Sequence, residues 1–179
     1  WRASGKTWLI CAVAGLFGLG LGNHTSLILL LPGFLWVILA DESRPGKNPR
    51  LVMLAGLVGI AALIAVYSYL PIRSSANPAM NYVRDYFPGI HLDTWQGLAW
   101  MIRGGMFDSL FFSLPLQDLP GEILRFLKLL AGNFHVLGLV FIVQGLARLW
   151  QTDHKLAAGL LLMFLLDVFF FLTYGARDK

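Results

Sequence analysis

The sequence predicts an all-α membrane protein, a helical bundle of about five spanning helices with further helices at one membrane surface. Composition is the first observation, because 57% of the 179 residues are hydrophobic and only 13% are charged, about half the charged share of an ordinary soluble domain. The second is the length of the apolar runs, and the third is the short basic segments between them. The net charge of +4 follows from basic residues beside the spans, so no nucleic-acid partner is expected.

The apolar runs place the spans in chain order. The first, Trp8–Gly22, carries Gly15, Gly18 and Gly22 on one face, a pattern that lets membrane helices pack closely. The second, Leu27–Ala40, contains Pro32-Gly33 and is predicted to form a short or kinked helix. We expect spans at about residues 6–22, 25–40, 51–70, 131–150 and 156–174, and an extracytoplasmic segment at about residues 71–118.

Two short basic segments set the predicted orientation. Asp41–Arg50 and Arg148–Lys155 both carry several basic residues, and short basic loops stay cytoplasmic. The N-terminus is then inside, and the long polar segment after Leu70 is outside. Because the sequence starts at Trp1 without a methionine and stops at Lys179 just after a span, we expect residues 1–179 to be a fragment of one integral membrane domain.

The extracytoplasmic segment contains helical patterns of its own. Trp95, Leu98, Ala99 and Ile102 recur at helical spacing, and tryptophans here are typical of a helix at the membrane interface. The pair Gly104-Gly105 is expected to end that helix. A second helix is expected to begin near Asp118–Glu122, where an acidic residue precedes a proline.

Tyr69–Asn81 is the stretch with the clearest chemistry. It leaves the third span carrying Arg73 and two asparagines, and Pro71 and Pro78 predict a stiff, non-helical segment. A cation and amides held at a bilayer surface suit an anionic head group. The alternative is a solvated loop whose arginine snorkels to the interface.

Other chemistry in the sequence is weaker. No phosphate-binding glycine loop, zinc-type spacing or nucleophile elbow is present in the sequence. His91 and Asp93 lack a nearby third metal ligand, so ordinary loop polarity is favoured and neither metal nor cofactor is expected. Asp85 and Asp93 could form an acid pair, but the sequence does not place them together and ordinary surface acids are favoured. Asp167 lies near the middle of the last span, where it should face the bundle with His135 as its neighbour or bond a backbone carbonyl.

Several short motifs resemble a known family when their order is considered together. The chain is similar to the protein O-mannosyltransferase-like membrane glycosyltransferase family, a branch of the GT-C superfamily that includes transmembrane protein 260. The motifs that carry the resemblance are Gly20–Thr25, Tyr69–Arg73, Asn77-Pro78 with Asn81, Trp100–Gly104 and Tyr174–Asp178.

The resemblance implies a partial GT-C fold with an extracytoplasmic site. It implies transfer of a sugar, expected to be mannose-like, from a polyprenyl- or dolichyl-phosphate donor to a protein or glycan acceptor. Arg73 would bind the lipid phosphate, with Asn77, Asn81, Asn23 and His24 around the sugar or carrier. The catalytic acid of the family is expected upstream of this fragment, so no catalytic residue is assigned.

Two other function classes remain open. A transporter or flippase segment could bind the same lipid-linked head group without breaking it, and Pro32-Gly33 and Asp167 favour broken, polar helices of that kind. A non-catalytic membrane subunit could use the polar cluster only as an interface. In each case the chain is a multi-pass integral membrane protein in contact with lipid, expected in a bacterial inner membrane in preference to the endoplasmic reticulum.

Overall fold

The structure is a computed structural model that describes residues 6, 8–40, 48–76 and 79–175. Within these residues it contains helices and no strands, which confirms the all-α prediction. The helices are α1 Trp8–Asn23, a 3-10 helix Thr25–Leu30, α2 Leu31–Leu39, α3 Pro49–Tyr67, α4 Tyr69–Ser75, α5 Tyr82–Tyr86, α6 Trp95–Ile102, two further 3-10 helices Gly105–Phe107 and Leu116–Asp118, α7 Leu119–Thr152 and α8 His154–Thr173.

Among the described residues, three helical stretches are long and apolar enough to cross a membrane, namely Pro49–Ser75, Leu116–Thr152 and His154–Thr173. A helical membrane bundle is therefore compatible with the structure. The first two predicted spans correspond to the shorter apolar helices Trp8–Asn23 and Thr25–Leu39. Helix α1 has 16 residues and is about 24 Å long, somewhat less than the roughly 30 Å hydrocarbon core.

The chain divides into two compact units, and the first contains Trp1–Ile28 and Glu42–Asp108. Its centre is the contact between α1 and α3. Gly15 faces Val58 and Gly22 faces Val66, so the two helices run in parallel. The predicted topology requires this parallel arrangement, because the first and third spans cross the membrane in the same direction.

Glycine lets the two backbones touch where α1 meets α3. A Cβ atom placed on Gly18 would collide with the carbonyl oxygen of Gly59, and a Cβ on Gly59 would lie 3.0 Å from the carbonyl oxygen of Ala14. The predicted packing role of the α1 glycines is confirmed. Close contact of this kind replaces the hydrophobic effect, which cannot drive helix association in lipid.

The second unit contains Leu29–Asp41 and Ser109–Lys179, and in it α2 packs on α8. Gly33 and Gly159 lie against each other, since a Cβ on Gly33 would be 2.6 Å from the carbonyl oxygen of Gly159. One turn away, the Trp36 indole N–H donates to the carbonyl oxygen of Lys155 (3.0 Å). Residues further along α2 contact residues nearer the start of α8, so the two helices are antiparallel. The short helix predicted around Pro32-Gly33 is confirmed, with proline in the first turn of α2.

Helices α7 and α8 form a hairpin joined by one residue, Asp153. Its side chain accepts a hydrogen bond from the Leu156 N–H (3.0 Å) and so caps α8. Phe126 of α7 packs against Phe164 and Phe171 of α8, with ring centroids 6.5 and 5.7 Å apart. Helix α7 starts at Leu119, as the Asp118–Glu122 pattern predicts.

Between the third span and α7, the described residues include the predicted helix α6. Its N-cap is Thr94, whose hydroxyl accepts from the Gly97 N–H (3.2 Å). Directly after it, Gly104 has a φ of 75°, which glycine adopts at little cost. Both the helix and its end are confirmed.

The structure corrects the prediction of a stiff, non-helical segment after Tyr69. Tyr69–Ser75 is the helix α4, separated from α3 by the single residue Ser68. Pro71 is the third residue of this helix, where a backbone N–H has no partner within the helix, so proline removes no hydrogen bond there. The break between α3 and α4 falls one turn before Pro71, because Pro71 cannot donate a hydrogen bond to the carbonyl of Tyr67.

The predicted contact between Asp167 and His135 is wrong. Both side chains are exposed, and they form neither an ion pair nor a hydrogen bond with each other. The predicted pairing assumed that the fourth span is a continuous helix. Helix α7 is instead interrupted at His135, whose φ of 53° and ψ of 166° are non-helical.

Candidate functional site

Two of the predicted site residues lie at the end of α1. Gly22 packs against Val66, which places this end beside the end of α3. The His24 backbone N–H donates to the Gly20 carbonyl (2.8 Å), and the chain then turns into the 3-10 helix. The side chains of Asn23 and His24 are exposed and form no hydrogen bond among the described residues. They are therefore available to a ligand.

Arg73 lies in the last turn of α4. Cations are stabilised at this position because carbonyl groups at a helix C-terminus lack partners and carry partial negative charge. The Arg73 side chain is exposed and has no hydrogen bond or ion pair with any described residue. Its guanidinium group keeps all its donors for another partner.

Other arginines on the predicted outer side are paired with carboxylates. Arg84 contacts Asp85 at 3.2 Å, Arg103 contacts Asp108 at 3.1 Å, and Arg125 contacts Glu122 at 3.7 Å. Arg73 differs from these three in carrying an uncompensated charge within the described part of the chain. A free anion that reaches this surface would have no bound carboxylate to displace from Arg73, unlike at the three paired arginines.

Asn81 has a structural role that its sequence context does not reveal. It is the N-cap of α5, and its side-chain oxygen accepts from the Arg84 N–H (3.2 Å). Only the amide NH₂ group remains for a ligand. Asn77 lies outside the described residues.

Three of the predicted residues lie at or after the ends of α1 and α3, and no hydrogen bond or ion pair joins Arg73 to Asn23 or His24. Val66 is level with the end of α1, and Arg73 follows seven residues later, a rise of about 10 Å for a helix. Asn23, His24 and Arg73 belong to the same compact unit. This polar end carries one strong cation, an imidazole and an amide, which suits an anionic group bearing neutral hydroxyls.

A pocket of 390 Å³ lies between α6 and the residues that precede it, and sequence reasoning missed it. Trp100 forms part of its lining, together with His91, Thr94, Gln96 and Arg103. The sequence indicated a helix and its tryptophans, but not the contacts that shape the cavity. These contacts join residues of α6 with residues of the loop before it, so no short sequence pattern predicts them.

Acidic residues near these sites do not form a paired centre. Asp85 is exposed and contacts Arg84, in agreement with the favoured interpretation of it as an ordinary surface acid. In the residues that the structure describes, no three His, Cys, Asp or Glu side chains come together as metal ligands would. The described chain therefore contributes binding groups, and no general base is identified among them.

Comparison with known proteins gives no match: neither a protein-family model, nor a curated protein, nor a solved structure matches this chain significantly.

Proposed function

We propose that this chain is part of a membrane glycosyltransferase, which transfers a sugar from a polyprenyl- or dolichyl-phosphate donor to a protein or glycan acceptor on the extracytoplasmic side. The observation that carries the proposal is the exposed Arg73 at the polar end of the α1–α3 pair, without a carboxylate partner among the described residues. The sequence resemblance adds the reaction type. A lipid-linked sugar places its phosphate at the membrane surface, which is the level expected for Arg73.

In this proposal Arg73 binds the phosphate through two parallel N–H···O bonds. The bond between the sugar and the phosphate breaks as the acceptor hydroxyl attacks, and negative charge grows on the departing lipid phosphate. A guanidinium group stabilises this charge more strongly than the charge of the intact donor. Asn23 and His24 would orient sugar hydroxyls. The general base is not assigned to any residue of this chain.

The test is donor-dependent sugar transfer by the full-length protein carrying Arg73→Lys. Lysine keeps the charge but loses the planar fork, so we expect transfer to fall roughly 10- to 100-fold, the effect of losing one charge-assisted hydrogen bond. Arg84→Lys is the matched control, because Arg84 lies in the same segment and already contacts Asp85. Equal rates for the two variants would exclude Arg73 from the site.

The interruption of α7 at His135 favours a second candidate, a flippase or transporter segment that moves the lipid-linked sugar. Broken helices with polar groups at membrane depth are typical of transport pathways, and Asp167 is an exposed ionisable side chain on the neighbouring helix α8. Reconstituted vesicles separate the two functions. A transferase forms glycosylated acceptor on one side of the membrane, whereas a flippase moves intact labelled donor across it without an acceptor.

A further inference from the structure

The pocket beside α6 is shaped by contacts within the chain. Gly97 lies so close to the His91 carbonyl oxygen that any side chain there would collide with it. The Thr94 hydroxyl donates to the same oxygen (2.6 Å) and accepts from the Gly97 N–H (3.2 Å). The loop before α6 is thereby fastened to the helix, and the cavity of 390 Å³ is formed in advance of a ligand. Its volume falls within the range of small-molecule sites.

Trp100 supplies an aromatic surface in this pocket. Its ring is partly buried against Phe87, with centroids 5.0 Å apart and planes inclined by 57°. Gly105 touches the indole from another direction, since a Cβ there would collide with the ring. The indole is held in place on these sides while it lines the cavity. A fixed aromatic ring provides contact area at low entropic cost.

The rest of the lining is largely apolar, including Ile90 and Ala99, and its polar groups carry little uncompensated charge. His91 and Gln96 are exposed and form no side-chain hydrogen bond within the described ranges. The Gln96 amide offers both donors and an acceptor. Arg103 is paired with Asp108 at 3.1 Å. The pocket therefore offers hydrogen bonds in both directions, with its one arginine already compensated.

We infer that this pocket binds a neutral, polyhydroxylated ring, and that it holds the sugar of the acceptor. The apolar face of a sugar ring would lie on Trp100, and its hydroxyls would bond Gln96 and His91. A phosphate-bearing donor would instead be drawn to Arg73, whose charge is not compensated in the described chain. Assignment to the acceptor rests on the proposed transferase function, whereas sugar binding itself does not.

The test measures binding of methyl α-D-mannopyranoside and methyl β-D-glucopyranoside to the full chain in nanodiscs, by saturation-transfer NMR without any donor. Maltoside detergents are avoided because they carry sugar rings. We expect saturable binding of at least one glycoside, with a dissociation constant on the order of 1 mM. Gln96→Ala should weaken it about three- to tenfold, as expected for one lost hydrogen bond.

Two further variants keep the result interpretable. Trp100→Phe retains an aromatic ring on Phe87 and should also weaken binding about three- to tenfold by removing contact area. Trp95→Phe is the matched control, since Trp95 is 74% exposed and does not line the pocket, and it should leave binding unchanged. Absence of saturable binding for both glycosides, or binding that survives Gln96→Ala and Trp100→Phe, would overturn the inference. Neither outcome involves Arg73, so the proposed phosphate site would stand or fall separately.

Discussion

Replacing Gly18 by alanine tests the packing of α1 on α3 most directly. The added methyl group would collide with the carbonyl oxygen of Gly59, which is backbone and cannot rotate away. The helices must therefore separate locally. A gap of 0.5–1 Å forfeits about a quarter to a half of the dispersion energy at each contact.

The magnitude follows from the number of contacts involved. If the crossing has about as many atom contacts as one buried leucine, about 50 at about 0.15 kcal/mol each, the separation costs roughly 2–4 kcal/mol. Alanine recovers about 1 kcal/mol through its higher helix propensity. We expect a net loss of about 1–3 kcal/mol, which corresponds to a fall of roughly 2–12 °C in Tm for a chain of this size.

The assay is thermal unfolding of the nanodisc-embedded protein, followed by circular dichroism. Gly56→Ala is the matched control, because Gly56 lies on α3 with nothing within 4 Å of an added Cβ, and it should be neutral or slightly stabilising. Gly59→Ala should fall between the two, since its Cβ would lie 3.0 Å from the Ala14 carbonyl oxygen. Equal Tm values for the Gly18 and Gly56 variants would refute the backbone contact.

Two further predictions concern the α7 break and the orientation. His135→Gly should raise Tm, because glycine tolerates the φ of 53° at which histidine is strained by about 1–3 kcal/mol. Val136→Gly, at the next residue, is the control and should lower Tm. A lower Tm for His135→Gly would mean that the break is absent. The orientation of the chain in the membrane can be tested with single cysteines introduced into a Cys11→Ala background. A membrane-impermeant thiol reagent added outside should label a cysteine at Gln96 and spare one at Gln151. The opposite pattern would reverse the topology and remove the proposed site.

The sequence predicted the fold class because its signals are local. Long apolar runs require helices in lipid, since each backbone polar group must be satisfied within its own segment. Thr94 and Gly104 bound α6 through interactions with residues a few positions away, and glycines at helical spacing indicated the packing face of α1. Pro71 was interpreted incorrectly because proline breaks a helix interior but is accommodated in a first turn. The choice between these outcomes depended on where α3 ends, which is at Tyr67.

Tertiary structure decided which polar groups remain free. Arg73, Arg84 and Arg103 all follow the third apolar run in the sequence, but only the folded chain shows that Arg103 lies on Asp108 and that Arg73 has no described partner. The cap formed by Asn81 is a local bond to the Arg84 N–H three residues away, and the sequence analysis did not predict it. The availability of a charged or polar side chain depends on neighbours from several turns, and their arrangement is set by packing.

The contacts between distant segments also arose only on folding. Gly33 and Gly159 are far apart in the chain and stand in otherwise bulky surroundings, yet their backbones meet where α2 crosses α8. Local spacing determined that the chain forms apolar helices, because a helix closes its hydrogen bonds within a few residues. It could not determine which small residues face each other, because that depends on the direction and register of helix pairs, which are properties of the folded chain.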